Sequence, residues 1–199
     1  MDTPNRCAWA QQSEIEAHYH DQHWGMPTTD DKTLFEFIIL EAAQAGLSWH
    51  TVLQKYEGYR HYYCDFDVQA VAKFDQAYLD KMLLDPAIIR HKLKLSTSVK
   101  NAKVFIAIQG EFGSFAKYLW AFVDNKPLQN EVVDYRQAPV QTDVSMALSK
   151  DLKKRGMSFV GPTIMYAYMQ AIGMVNDHEV SCHCYDGCRR AGLDFKLPS

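Results

Sequence analysis

Between Asp30 and Trp49 the chain reads DDKTLFEFIILEAAQAGLSW, and its apolar positions do not keep to one helical face. Leu34, Phe35, Phe37, Ile38, Ile39, Leu40, Ala42, Ala43 and Ala45 cover every side, which predicts a helix buried all round. Thr29 and Asp30 offer N-caps, and Gly46 offers a stop. Ser48 can cap a following helix that carries Trp49, Val52, Leu53 and Tyr56. A polar-to-apolar pattern from Asp65 to Leu84 predicts another helix, broken by Asp85-Pro86. Helical spacing resumes from Ile88 through Ile108 up to Gly110, and Phe115 to Val123 reads as a short helix. Pro127 to Pro139 is a polar loop with some extended character. Ser145 to Gly173 reads as helix, tight turn, helix. The tail after Cys184, with Gly187, Gly192 and Pro198, is expected to be loosely ordered. There is no succession of strands and no internal repeat, so the expected fold class is all-α.

Glu41 interrupts the apolar run. Carboxylates are almost never fully buried without a partner. Either an internal cation meets Glu41, or the carboxylate lines a pocket whose ligand supplies the partner.

Composition narrows the setting. A chain of 199 residues with 47% hydrophobic content suits one compact domain or two lobes sharing one core. The net charge of −3 gives no global pull toward nucleic acid, which counts against coating long DNA tracts but leaves room for a local patch. No apolar run approaches the roughly 20 residues that span a bilayer, and MDTPNRCAWAQQ lacks a charged-then-apolar signal pattern. A cytoplasmic, membrane-free monomer is expected, and its five cysteines then read as thiols or metal ligands rather than disulfides.

Three constellations carry chemistry. In the first, an amphipathic helix ends in Lys153-Lys154-Arg155-Gly156, followed by the turn Met157–Gly161 and a helix that opens on Pro162. Gly161 permits close backbone approach, and exposed amides at a helix start attract an anion such as a DNA phosphate. A plain helical corner with a solvated basic end accounts for the same residues. In the second, Cys7 and His20 near one end and His178 and Cys182 near the other make a two-Cys, two-His set suited to a closed tetrahedral zinc. His18, His23, His183, Cys184 and Cys188 compete as ligands. In the third, Trp9, Tyr19, Trp24 and Trp49 flank Glu41 and the metal candidates. With a buried carboxylate they form a slot for a flat, cationic ring; as ordinary core they need no ligand.

The ordered motifs RCAW, Tyr19–Gly25 (YHDQHWG), Leu40–Trp49 (LEAAQAGLSW), Ile88–His91 (IIRH), Lys153–Gly161 (KKRGMSFVG) and Met169–His178 (MQAIGMVNDH) together resemble the bacterial 3-methyladenine DNA glycosylase I family, of the helix–hairpin–helix DNA glycosylase superfamily. The resemblance spans Cys7 to Tyr185. It implies a helix–hairpin–helix glycosylase domain over 1–188, with segments 1–25 and 174–185 joined at one structural zinc and 189–199 as a tail. It implies zinc ligands at Cys7, His20, His178 and Cys182, and a base pocket of Glu41, Tyr19, Trp49, Trp9 and Trp24, with Glu41 catalytic. It implies DNA contacts through the hairpin Met157–Gly161, with Gly161, Thr163, Lys153 and Lys154, and through a Gly46-Leu47 wedge that fills the gap left by an extruded nucleotide.

The implied activity is hydrolytic release of 3-methyladenine from alkylated double-stranded DNA, with the free base as product. Thr163 stands where strand-cutting superfamily members carry a lysine, so no strand cleavage is expected. Asp177 lies near the superfamily's catalytic aspartate position but abuts the zinc ligand His178, and is not assigned that role. Three departures stand out: Glu16 where an aromatic residue is usual, Ala87 for a glycine, and Pro162 for a threonine. Two rivals remain at this level, a non-catalytic zinc-stabilised helical DNA-binding protein and a zinc hydrolase. The first has no need of a carboxylate in an aromatic slot, and the second needs an open coordination position.

Overall fold

The computed structural model describes residues 4–198, so residues 1–3 and 199 of the expected terminal segments lie outside it. Ser13 caps α1 (Glu14–Gln22), its hydroxyl accepting from the Glu16 amide. Asp30 caps α2 (Asp31–Gln44) through the Thr33 amide, satisfying one of the donors that a helix start leaves open. Eight residues of α2 are buried, Glu41 among them. Ser48 caps α3 (Trp49–Leu53), and α4 (Tyr56–Tyr62) follows directly.

The expected helix over Asp65–Leu84 is two helices. Cys64, Asp65 and Phe66 all take positive φ, which no helix tolerates. Asp67 then caps α5 (Val68–Val71) and Asp75 caps α6 (Gln76–Leu84). The next helix, α7 (Lys92–Phe112), starts later than its apolar spacing suggested because His91 caps it. It passes through Gly110 and stops at Gly113, where φ is +87°. Burial of Leu95, Ala102, Phe105 and Ile108 outweighs the modest cost of one helical glycine.

Asp31 joins this helix to the next. Its carboxylate accepts from Gln109 and from the amides of Phe115 and Ala116, which open α8 (Phe115–Trp120). The loop after α8 contains one unexpected feature: β1 (Leu128–Gln129) pairs in parallel with β2 (Val175–Asn176). The two-residue strands carry no alternating pattern for a sequence reading to find, and the class stays mainly helical.

Thr142 caps α9 (Asp143–Arg155), which ends on Gly156 at φ +109°. The turn 157–161 leads to α10 (Pro162–Ala171), with Pro162 in the first turn, where its missing N–H costs nothing. The helices α2, α7 and α8 pack together, and α10 crosses both α2 and α9. The core runs through Phe35, Phe105 and Phe115, the last two stacked at 4.0 Å between centroids.

The tail is corrected by the structure. Residues Tyr185–Asp194 form α11, Cys188 is buried, and the Phe195 ring packs at a tilt against the fully buried Trp120, 4.1 Å between centroids. Its glycines suggested disorder, but Gly192 faces Gln129 so closely that a Cβ there would lie 2.4 Å from the amide nitrogen. Among the described residues no helix is long and apolar enough to cross a membrane.

Candidate functional site

Four helices, α1, α2, α3 and α10, converge on one cavity of about 190 Å³. From α1 come Glu16 and Tyr19, from α2 Glu41 and Gln44, and from α3 Trp49; Trp9 and Trp24 close it from the N-terminal segment. Tyr19 and Trp49 stand 5.1 Å apart between centroids, as do Trp9 and Trp24. The four aromatic residues singled out in the sequence therefore meet around Glu41.

Glu41 is 4% exposed and makes no ion pair with any described residue, so the internal-cation alternative drops out. Burial alone pushes its carboxyl up to about 8. Burial, then the neighbouring Glu41, holds the Tyr19 hydroxyl well above its ordinary range. Three buried side-chain atoms among the described residues lack a hydrogen-bond partner: Glu41 Oε2, Trp9 Nε1 and Trp49 Nε1. All three residues line this cavity. Native interiors leave few polar groups unpaired, because each costs about 1–3 kcal/mol. One acceptor and two donors facing a shared space suit a flat polar guest.

Sequence reasoning missed part of the lining. Tyr135 lies 6.3 Å from Trp9 and 6.1 Å from Trp24. Gln170 on α10 donates to Asp177 at 2.8 Å, and Asp177 also accepts from Tyr166 at 2.6 Å and Asn130 at 2.7 Å. Asp177 is fully buried under these three donors and is a structural anchor for the Gln170 wall. A tyrosine in an irregular loop and a glutamine inside a helix carry no periodic signal. Glu16 does face the cavity. It is 8% exposed, accepts from Ser13 Oγ at 2.7 Å, and lies 3.6 Å from His50 Nδ1.

The metal candidates also come together. Cys7, His20, His178 and Cys182 are all buried, with ligand atoms within 4.8 Å of one another. Cys182 Sγ lies 3.5 Å from His20 Nε2 and 3.6 Å from His178 Nδ1, and Cys7 Sγ lies 3.6 Å from His178 Nδ1. Tetrahedral bonds of about 2.0 Å to nitrogen and 2.3 Å to sulfur give N···S edges near 3.6 Å. The outer shell agrees. His20 Nδ1 bonds Asp21 at 2.8 Å, Asp21 is held by Arg6, and His178 Nε2 bonds the Trp24 carbonyl at 3.0 Å, leaving the other ring nitrogens for an ion. The Glu179 and Cys184 amides donate to the Cys7 and Cys182 sulfurs. The four side chains can hold a metal ion. Of the competitors, Cys188 sits apart against Trp24 and Met26, while Cys184 and His183 lie on the cluster's outer side.

The remaining predicted residues lie outside the slot, on the exposed Gly46 turn and around the largely buried 157–161 turn. Gly46 has φ +77° with open space around it, and Leu47 is 43% exposed. Gly161 is open to a close approach, and Thr163, Lys153 and Lys154 are exposed. Arg155 is committed to Glu111 and Asp151, its guanidinium 5.1 Å from the rings of Phe112 and Tyr118.

Known proteins resemble this chain in sequence and fold. The DNA-3-methyladenine glycosylase of Haemophilus influenzae is 46% identical over 179 residues, covering 90% of this chain and 97% of its own. DNA-3-methyladenine glycosylase 1 of Escherichia coli is 44% identical over 182 residues, covering 92% and 97%. A crystal structure of a 3-methyladenine DNA glycosylase I superposes with a TM-score of 0.88 at 43% identity, over 91% of this chain and all of that one. The Staphylococcus aureus enzyme, whose structure addresses 3-methyladenine recognition, gives 0.88 at 34% identity, over 92% and 98%. The family profile described as methyladenine glycosylase matches residues 9–185. With nearly the whole chain aligned, fold and sequence agree that it belongs to the methyladenine glycosylase family.

Proposed function

We propose that this chain is a base-excision DNA repair glycosylase that releases 3-methyladenine from alkylated double-stranded DNA by hydrolysing its N-glycosidic bond. The observation that carries this reading is the unpaired Glu41 carboxylate inside a slot of Tyr19, Trp49, Trp9 and Trp24. A purine alkylated at N3 is cationic while still attached to its sugar. The slot supplies aromatic faces for stacking and one anion for charge matching. Glu41 accepts a hydrogen bond from the exocyclic amine on the N7 edge of the purine, and the cation favours its ionised form. Water attacks C1′, the glycosidic electron pair passes to the base, and the water's surplus proton leaves to solvent. The base departs neutral, so the barrier to be removed is smaller than for an unmodified purine.

Leu47 on the Gly46 turn fills the gap left by the extruded nucleotide, and extrusion costs least for a damaged base. The segment α9–turn–α10 acts as a helix–hairpin–helix, with Gly161 and the first amides of α10 on a backbone phosphate and Lys153 and Lys154 beside it. Thr163 in place of a lysine leaves the hairpin without an amine for an imine, so the enzyme does not cut the strand.

Cys7, His20, His178 and Cys182 hold one zinc in this reading, supported by their donor chemistry and spacing. Four protein ligands would close the coordination sphere, so the ion would cross-link the chain and take no part in hydrolysis.

The test is Glu41→Gln, assayed for 3-methyladenine release from methylated duplex DNA. Release should fall by about 10- to 100-fold, as for a lost charge-assisted hydrogen bond. Unchanged release from a folded variant removes Glu41 from the mechanism.

A further inference from the structure

Two polar residues on α7 have side chains spent on loops far away in sequence. The Lys94 ammonium donates to the carbonyls of Ala43 and Ala45, at 2.8 and 2.7 Å. It thereby fastens the end of α2, from which the Gly46-Leu47 turn projects. Asn101 grips the turn after α9 from both sides: its Nδ2 donates to the Ser158 carbonyl at 2.9 Å, and its Oδ1 accepts from the Ser158 amide at 3.0 Å. Asn101 is 1% exposed, so the clamp is shielded from water. His91, the cap of α7, also meets Phe159 edge-on at 6.5 Å. Phe159 has φ +56°, a backbone state that persists only where its surroundings impose it.

Lys94 and Asn101 are seven residues apart. On a helix this puts them on nearly the same face, about 10.5 Å apart along the axis. The helix between them is anchored by buried Leu95, Thr97 and Ser98. A stiff rod therefore holds both turns at a fixed separation. On each strand of a duplex the phosphates recur every 3.4 Å or so of helix axis, so a wedge and a phosphate grip that act together need such a fixed interval.

We propose that α7 is the spacer that sets the two DNA-engaging turns in register, with Lys94 and Asn101 as its positioning residues. The proposal rests on the reading above that the Leu47 turn and the 157–161 turn meet DNA. Neither residue touches the base slot, so loss of either one uncouples duplex engagement from base recognition.

The experiment compares Lys94→Met, Lys94→Arg, Asn101→Ala, the double variant Lys94→Met/Asn101→Ala and Leu47→Ala. Each is assayed for kcat/KM on methylated duplex DNA and for Kd of free 3-methyladenine by Trp fluorescence. Lys94→Met and Asn101→Ala should each lower duplex kcat/KM by about 10- to 100-fold, the scale of an ångström-level misplacement, with free-base Kd held within about twofold. Lys94→Arg, which keeps donors for the two carbonyls, should retain most activity. The double variant should fall little further than either single one, because one broken anchor already destroys the register. Duplex activity unchanged in Lys94→Met while Leu47→Ala loses it overturns the spacer. So does a matching loss of free-base affinity, which indicates a general fold defect. If Leu47→Ala leaves excision intact, the assignment of the turns fails first, and the spacer falls with it.

Discussion

Trp24 stands edge-on to His178, with ring centroids 4.6 Å apart, so one wall of the aromatic slot leans directly on the Cys/His cluster. Trp9 likewise meets His20 at 5.5 Å. Chelation, or Cys182→Ala, should therefore do more than destabilise the fold. We expect Tm to fall by on the order of 10 °C, several kcal/mol for a chain of this size, together with weaker binding of free 3-methyladenine. Metal content by mass spectrometry should drop from about one per chain. Full stability and binding in a metal-free protein would count against the cluster as a cross-link.

Glu41 makes stability depend on pH in a defined direction. Its carboxyl sits near 8 in the fold against an ordinary 4.5. Between those values the folded state keeps a proton that the unfolded chain has released. Stability is thus full below about pH 4.5 and is lost as pH rises through about 8. Thermal melts should show the wild type weakening over that window by up to a few kcal/mol, and Glu41→Gln losing that part of the slope. Parallel slopes in the two proteins would contradict the burial of an ionisable Glu41.

In the proposed mechanism the same proton governs catalysis. The base cation needs the ionised carboxylate, so kcat/KM on methylated duplex should climb as pH approaches about 8 and then level. In Glu41→Gln the residual activity should lack that rise. A wild-type profile flat from pH 6 to 8, roughly the range in question, would assign the titration elsewhere.

Trp49 offers the clearest optical signal. Free 3-methyladenine should quench Trp fluorescence saturably, and Trp49→Ala should weaken binding by about 1–3 kcal/mol, the usual value of one base–aromatic stack. Full affinity in Trp49→Ala would mean that the ring is a spectator.

The basic end of α9 should report through salt. Removing Lys153 or Lys154 should reduce the slope of log affinity against log salt by about 0.9 for each phosphate that is no longer neutralised. Arg155→Ala should instead lower Tm, because that guanidinium is tied to Glu111 and Asp151.

Much of the site was legible because its chemistry is dense in rare residue types. Two Cys, two His, Trp9, Trp24, Trp49 and one carboxylate in an apolar helix are each conspicuous, and the fold did bring them together. What escaped was local geometry. The break at Cys64–Phe66 arises from backbone torsions that side-chain periodicity does not record. The ordering of 185–195 depends on Trp120 and Gln129, both more than 50 residues earlier. Tyr135 and Gln170 reach the slot only through tertiary packing, and Lys94 and Asn101 looked like ordinary polar positions until their partners were visible.

The union of the chain's two ends bears on its biosynthesis. Cys7 meets His178 across 171 positions, and His20 meets Cys182 across 162. A ribosome makes about 5–20 residues each second and releases the N-terminal part first. The helix bearing Tyr19 therefore emerges many seconds before the cysteine and histidine that brace it. The aromatic slot is not braced on a nascent chain until the segment carrying His178 and Cys182 has left the exit tunnel, and contacts this remote in order make folding slow.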